Sequence, residues 1–415
     1  MWSRNRAALA AITSAMHTGP TLAACWPPLA RPAPARPALA SPAEVAACVN
    51  PPDPSQPLAP APALLACTAA VSAALPAAEL RAPAAAKLSH SFHALLRRNL
   101  RGQGRGAGAT LVVLRHGRVV GSASAGFADI SAKRAILPST VFDLASVSKQ
   151  FTAVAILRLV ERGVVKLDQP ARAWIPELAE GKPRPLLVRD LLNMTSGLPD
   201  YTEAFEEEEL PHVDNPAVAR WAASVPRRAV GAAHRYSNTD YALLALIVER
   251  ASGRTFADFL ADEVLRPLAM NDSRAEARPG PSVDPARARG YRPRGASWVE
   301  SRLDAPTVGD GNVYSSARDL GVWLSRLAAG EVLSPRLLGE AWRTGVDDRG
   351  RAHGYGFGWA VDGQTVSHSG SWNGTSTYVG YHRADGFAVV VLSNDESFDA
   401  ESLGETAVRM ARKAR

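Results

Sequence analysis

Phe142-Asp143-Leu144-Ala145-Ser146-Val147-Ser148-Lys149-Gln150-Phe151 is the stretch whose reading decides the fold. From Thr152 to Arg162 it continues through Val154, Ile156, Leu157, Leu159 and Val160, interrupted by Arg158 and Glu161, so the spacing predicts a helix buried on most of its circumference. Ser146 and Lys149 are three apart at its start, and on a helix their side chains share a face. A serine hydroxyl attacks a carbonyl only when a nearby base takes its proton, and the helix N-terminus adds N–H groups that favour negative charge. Taken alone, Ser-x-x-Lys is equally the sign of a capping serine and a solvated lysine. The composition shifts the balance: only six lysines occur beside forty-one arginines. A guanidinium cannot give up its proton, so a base here has to be lysine.

The chain of 415 residues is uneven, with 15 of its 31 prolines before residue 84. We therefore expect a Pro/Ala-rich segment over 1–83 that builds no core, followed by a globular part over 84–415. Apolar content of 46% and charged content of 21% are ordinary for a globular protein. The net charge of +7 comes from scattered arginines without a basic run or basic-aromatic interleaving, which argues against nucleic acid as a partner. Cys25, Cys48 and Cys67 all precede the globular part, leaving it no disulfide, thiolate metal site or cysteine nucleophile. His212, His234, His353, His368 and His382 lack the short spacings of zinc sites. No metal is expected.

Met1-Trp2-Ser3-Arg4-Asn5-Arg6 followed by Ala8 to Ala15 resembles the charged start and apolar run of a signal peptide. Leu22-Ala23-Ala24-Cys25 resembles a lipoprotein cleavage box, which would put a lipid anchor on Cys25, but His17, Gly19 and Pro20 interrupt the run before it. The expectation is export to a periplasmic or extracellular location, with a cytoplasmic one left open. No eighteen uninterrupted apolar residues occur, so a polytopic membrane protein and a transmembrane helix in the mature domain are not expected.

Leu88 to Leu100 reads as an amphipathic helix, and residues 109–127 as two strands turning at His116-Gly117-Arg118. At the other end Thr365 to Ser369, Thr375 to His382 and Phe387 to Leu392 read as three strands, followed by a helix from about Glu401. Strands at both ends with a helical middle predict an α+β fold. Its antiparallel sheet is built from both termini and flanked by helices, a sheet lobe over about 88–145 and 340–415 with an inserted all-α lobe over about 146–339. In the middle, residues 190–201 read as a short helix closed by Gly197, and Glu203 to Glu209 as a solvated acidic loop. Tyr236 and Asn238 stand just before a helix expected over Ala242 to Ala251, as turn and N-cap. Ser315 or Ser316 caps the next helix, and His368-Ser369-Gly370-Ser371 ends a strand where glycine lets a ligand approach the backbone.

Ser146-x-x-Lys149, Tyr236-x-Asn238 and His368-x-Gly370, in this order, resemble the three motifs of the serine β-lactamase and penicillin-binding-protein superfamily. The closest likeness is to its class C β-lactamase, D-alanyl-D-alanine carboxypeptidase and esterase branch. The phrases LLNMTSGLPDY at 191–201, RYSNTDYALL at 235–244, GNVYSSARDL at 311–320 and GYGFGW at 354–359 support it over roughly residues 88–412. The resemblance implies a β-lactamase-like fold and an acyl-enzyme serine hydrolase acting on a small molecule or short peptide: a short-chain ester, a D-amino-acid peptide or a β-lactam. By the same resemblance Ser146 is acylated, Lys149 and Tyr236 transfer protons, and Asn238 orients Lys149 and the substrate amide. Backbone N–H groups of Ser146 and Ser371 form the oxyanion hole, with His368, Gly370 and Ser371 on the substrate-binding strand and no cofactor. Where many relatives have Lys-Thr-Gly, this chain has His368-Ser369-Gly370. The alternative is a non-hydrolytic sensor or scaffold that binds penicillin or cell-wall peptides; retention of both Lys149 and Tyr236 argues for turnover.

Overall fold

The computed structural model describes residues 83–414, apart from 179–180, 277–285 and 302–304. Almost all of the Pro/Ala-rich segment, with its signal-like start and Cys25, lies outside the described residues. Helix α1 (Pro83–Asn99) leads into strands β1 (Ala109–Arg115) and β2 (Arg118–Ala125), then β3 (Val141–Asp143) and α2 (Lys149–Glu161). The middle of the chain supplies α3 (Asn238–Ser252), β4 (Val313–Ser316) and α4 (Ala317–Ala328). Strands β5 (Ala360–Asp362), β6 (Thr365–Trp372), β7 (Thr375–His382) and β8 (Phe387–Ser393) precede the last helix, α5 (Ala400–Lys413).

Six strands form one sheet in the order β5-β6-β7-β8-β1-β2, antiparallel at every step. The hairpin between β1 and β2 turns on His116 and Gly117, both with positive φ, as two-residue hairpin turns require. Strand β1 is apolar on both faces because both are covered. Leu111 and Val113 point towards α1 and α5 with Val389 and Val391, and meet Phe92, Leu96, Leu403 and Val408. Val112 and Leu114, with Val390 and Leu392, point the other way into the core that includes Phe151, Leu320 and Leu324. The two-residue period thus splits one apolar run between two cores.

The α+β class and the sheet built from both ends are as expected. The inserted lobe, expected to be all-α, also carries short strands: β4 pairs with β3 and with Arg274–Ala275, and Tyr291–Arg294 pairs with Ser297–Glu300. Strands of two to four residues are too short to show an alternating pattern. Helix α2 is buried as its sequence suggests, with Phe151 stacked on Trp323 at 4.3 Å between ring centroids. The helix at 190–201 is shorter than expected, Val188–Leu192, and closes at Asn193 ahead of Gly197. Helix α3 begins earlier than expected because Ser237 is its N-cap, its hydroxyl accepting from the Asp240 N–H at 3.0 Å. Ser316 caps α4 in the same way, accepting from the Asp319 N–H. Among the described residues no helix is long and apolar enough to cross a membrane.

Candidate active site

Ser146 lies on a tight turn between β3 and α2. Residues Ala145–Ser148 form a 3-10 turn, and Lys149 is the first residue of α2. In a 3-10 turn side chains three apart eclipse one another, which brings Ser146 and Lys149 together more directly than an α-helix would. Ala145 takes a positive φ of 47°, rare for a residue with a side chain. Two neighbours hold it there: Asp143 Oδ1 accepts from the Ala145 N–H at 2.8 Å, and the Leu144 N–H donates to Val313 O at 3.0 Å. Strand β7 fixes the same turn from the sheet. Thr375 Oγ1 donates to Asp143 O at 3.1 Å and Thr377 Oγ1 to Leu144 O at 2.9 Å.

Lys149 is fully buried. Its Nζ donates to Asn238 Oδ1 and to the Asp310 carbonyl, both at 2.8 Å, and lies 3.3 Å from Ser146 Oγ. The ring of Tyr236 faces it, with Nζ 4.9 Å from the ring centroid. Asn238 sits at the start of α3, where its own N–H donates to Asp200 Oδ2 at 2.6 Å, so the carboxylate that anchors the helix start also places the amide. Tyr236, two residues earlier, is 39% exposed and stands at the mouth of the site.

The β6 strand supplies the opposite wall. It continues beyond the expected end, as far as Trp372, and Ser371 lines the pocket beside Ser146 and Asn238. Gly370 is buried, and what approaches it is protein rather than ligand. A Cβ there would lie 2.4 Å from Leu144 O and 2.3 Å from Thr377 Oγ1, so the absent side chain lets β6 close against the turn that carries Ser146. His368 differs from its expected place among groups that face substrate. Its imidazole is buried, with Nδ1 2.6 Å from the Ser369 carbonyl and Nε2 3.0 Å from the Tyr355 hydroxyl, its ring 6.1 Å from that of Tyr236. Burial, reinforced by the Lys149 charge, pushes the His368 pKa down to about 3, so the ring is neutral at physiological pH. The cause is the strand's two-residue alternation, which turns Ser369 and Ser371 outward and His368 inward.

Four residues join the site that motif reading did not supply. Asp310 is buried beside Lys149, its Oδ2 accepting from the Tyr201 hydroxyl at 2.7 Å, while Thr307 Oγ1 lies 2.9 Å from the same hydroxyl. Desolvation raises the Asp310 pKa, and the Lys149 charge opposes the rise. Trp372 supplies an aromatic wall. Nothing in the spacing of Gly309-Asp310-Gly311-Asn312 or of Trp372 ties them to Ser146. Among the described residues the pocket is lined by two that carry carboxylates, Asp143 and Asp310, and by no arginine, lysine or histidine.

Residues 92–411 match the family model described as Beta-lactamase. The chain is 32% identical over 360 residues to Esterase EstB of Burkholderia gladioli, covering 75% of this chain and 90% of that one. It is 30% identical over 320 residues to Penicillin-binding protein 4* of Bacillus subtilis (strain 168), covering 69% and 68%. Among solved structures it resembles the octameric penicillin-binding protein homologue from Pyrococcus abyssi with a TM-score of 0.68 and 25% identity, over 79% of this chain and 77% of that one. On the family model and these relatives, the chain belongs to the beta-lactamase family of serine hydrolases.

Proposed function

We propose that this protein hydrolyses small neutral esters or amides by acylation of Ser146. The observation that carries this reading is the bonding of Lys149. Its two short bonds go to oxygens that can only accept, Asn238 Oδ1 and Asp310 O. With those two bonds fixing its position, Nζ is 3.3 Å from Ser146 Oγ, within reach of the proton that a nucleophilic serine has to lose. Lys149 takes the serine proton as Oγ attacks the carbonyl. Tyr236, over the lysine at the mouth, passes a proton to the leaving group and then activates water to release the acyl group. The N–H groups of Ser146 and Ser371 hold the oxyanion, a contribution on the order of 3 to 4 kcal/mol per donor. Asn238 keeps Lys149 in place, and Gly370 sets the spacing between the two donors.

The pocket lining supports a neutral substrate. Among the described lining residues a carboxylate of the kind cephalosporins carry would meet Asp143 and Asp310 and no arginine, and His368 is both neutral and buried. We expect kcat/KM for a p-nitrophenyl ester to exceed that for a cephalosporin or a D-Ala-D-Ala peptide at both pH 6 and pH 8. Intact-mass analysis with these three substrates, recording adduct and turnover, tests the reading. Ser146→Ala must abolish both, along with fluorophosphonate labelling. Labelling retained on another serine removes Ser146 from its role, and an adduct that forms without turnover supports a binding domain instead. Export remains our reading of the signal-like start, with Cys25 as the residue a lipid anchor would use. Removal of the leader on secretion is the observation that checks it.

A further inference from the structure

A lysine without exposed surface that takes up a proton becomes a buried cation, which is costly unless a counter-charge faces it. The two short bonds of Lys149 Nζ go to uncharged oxygens, Asn238 Oδ1 and Asp310 O. The rings about it are those of Tyr236 and Tyr241, with centroids 4.9 and 5.8 Å from Nζ, and the neutral imidazole of His368. Four aspartates belong to the segments that surround it. Asp143 Oδ1 accepts from the Ala145 N–H, Asp200 from the N–H groups of Thr202 and Asn238, and Asp240 Oδ1 from the Ser196 hydroxyl at 2.6 Å. Asp310 differs in that its own carbonyl receives Nζ. Its carboxyl group is buried, with Oδ2 accepting from the Tyr201 hydroxyl at 2.7 Å and Oδ1 left without a hydrogen-bond partner. The carboxyl also responds to the lysine: burial raises its pKa, and the Lys149 charge opposes the rise. An unmatched buried oxygen in that place costs free energy that a cation at Nζ offsets.

We propose that Asp310 is a positioning residue for acylation: its carbonyl holds Nζ beside Ser146, and its carboxylate supplies the counter-charge for the ammonium that Lys149 becomes. In that step the Ser146 O–H bond breaks and an N–H bond forms at Nζ, while Asp310 gains no proton and touches no substrate. Tyr201 fixes the carboxylate through Oδ2, and its own hydroxyl lies 2.9 Å from Thr307 Oγ1. Removing the charge at Asp310 therefore has two linked effects on acylation. The maximal rate falls, because the ammonium formed is no longer balanced. That maximum is also reached at lower pH, because the free amine no longer competes with a charge-balanced ammonium. A residue that only packed the turn would change the rate without moving its pH dependence.

The inference rests on Ser146 as nucleophile with Lys149 as its base, and not on the choice of substrate, so the probe is a fluorophosphonate. Oγ bonds to phosphorus as fluoride leaves, and the serine proton goes to Nζ as it does with an ester. The second-order labelling rate of the full chain is measured by intact mass from about pH 5 to about pH 10, beside turnover of p-nitrophenyl acetate. In Asp310→Asn, whose amide oxygen still accepts from Tyr201, the acidic limb of the labelling profile moves to lower pH by on the order of one unit and the alkaline plateau falls severalfold. Asp310→Ser, uncharged and smaller, gives the same shift should the asparagine variant not fold. Tyr201→Phe keeps the carboxylate and leaves the limb in place. An unmoved limb or a raised plateau in the Asp310 variants, or an equal shift in Tyr201→Phe, would each overturn the proposal. Wild-type protein that does not label at Ser146 removes the nucleophile and this inference with it. Labelling without ester turnover, with the shifts as expected, sinks the substrate reading alone and supports the part given to Asp310.

Discussion

Lys149 has no exposed surface, and its bonds are to uncharged oxygens, so its position is set by geometry that no other basic residue reproduces. Arginine is longer, planar and unable to release its proton. Lys149→Arg is expected to lower kcat by on the order of a thousandfold or more, measured by single-turnover acylation with a p-nitrophenyl ester. His368 makes a different prediction, about stability. Its folded pKa, about 3, lies below the ordinary 6.5, so when the protein unfolds in that interval the imidazole takes up a proton. Stability associated with His368 is therefore present above about pH 6.5 and is lost as pH falls towards about pH 3. Asp240 and Asp310 act in the opposite sense, since burial raises both carboxyls and favours their protonated, folded forms as pH falls. The expected signature is thus a difference: melting temperature falls less steeply between pH 7 and pH 4 in His368→Gln than in wild type. Parallel curves would show that the imidazole titrates normally. The motif residues were legible because their chemistry restricts residue type. Asp310 was not, since an aspartate between two glycines reads first as a turn and only the folded chain sets it beside a lysine 161 positions away.

At the scale of elements, the site is a clearance between strand β6 and the turn before α2, and Gly370 sets it. Gly370→Ala places a methyl group against Leu144 O and Thr377 Oγ1, so either the strand or the nucleophile turn has to move. Overpacking of this kind costs about 1 to 3 kcal/mol. A shift near 1 Å at the reacting groups costs on the order of a hundredfold in rate, so kcat should fall further than the change in melting temperature alone suggests. Unchanged kcat with lowered stability would mean that the turn does not depend on this contact. The long elements could be read from periodicity: α2 from its apolar run, and β1, β7 and β8 from β-branched residues between turns. The short strands could not, because their pairing creates them, β4 with β3 and with Arg274–Ala275, and Tyr291–Arg294 with Ser297–Glu300. Nor could the inward turn of His368, since β6 runs three residues beyond its expected end and each added residue bears on which face is buried.

Across the whole molecule, the described cores use residues from Leu88 onwards, with α1 covering one face of the sheet through Leu88, Phe92 and Leu96. A chain starting at residue 83 is accordingly expected to fold with an unchanged melting temperature and to retain full ester turnover, measured against the full-length protein. A large loss in either would give the preceding segment a structural part. The antiparallel sheet built from both ends could be read because strand-like runs gather at the two ends. That β3 and β4 tie the lobes together could not, since that link depends on pairing between residues far apart in the chain.

The pairing of β1 with β8, which joins the two ends of the chain in one sheet, has a consequence for how the protein comes into being. Ser393, at the end of β8, donates to the Gly108 carbonyl across 285 positions of sequence, and Thr377 reaches Leu144 across 233. Contacts of such span make for slow folding, and during synthesis β1 and β2 emerge long before their partner. A nascent chain that already includes Ser146 still lacks the two threonines that hold its turn and the strand, β6, that closes against it. The turn that carries Ser146 therefore takes its final form only when nearly the whole domain has been made, and the unpaired edge of β1 is the surface most in need of a chaperone in the interval.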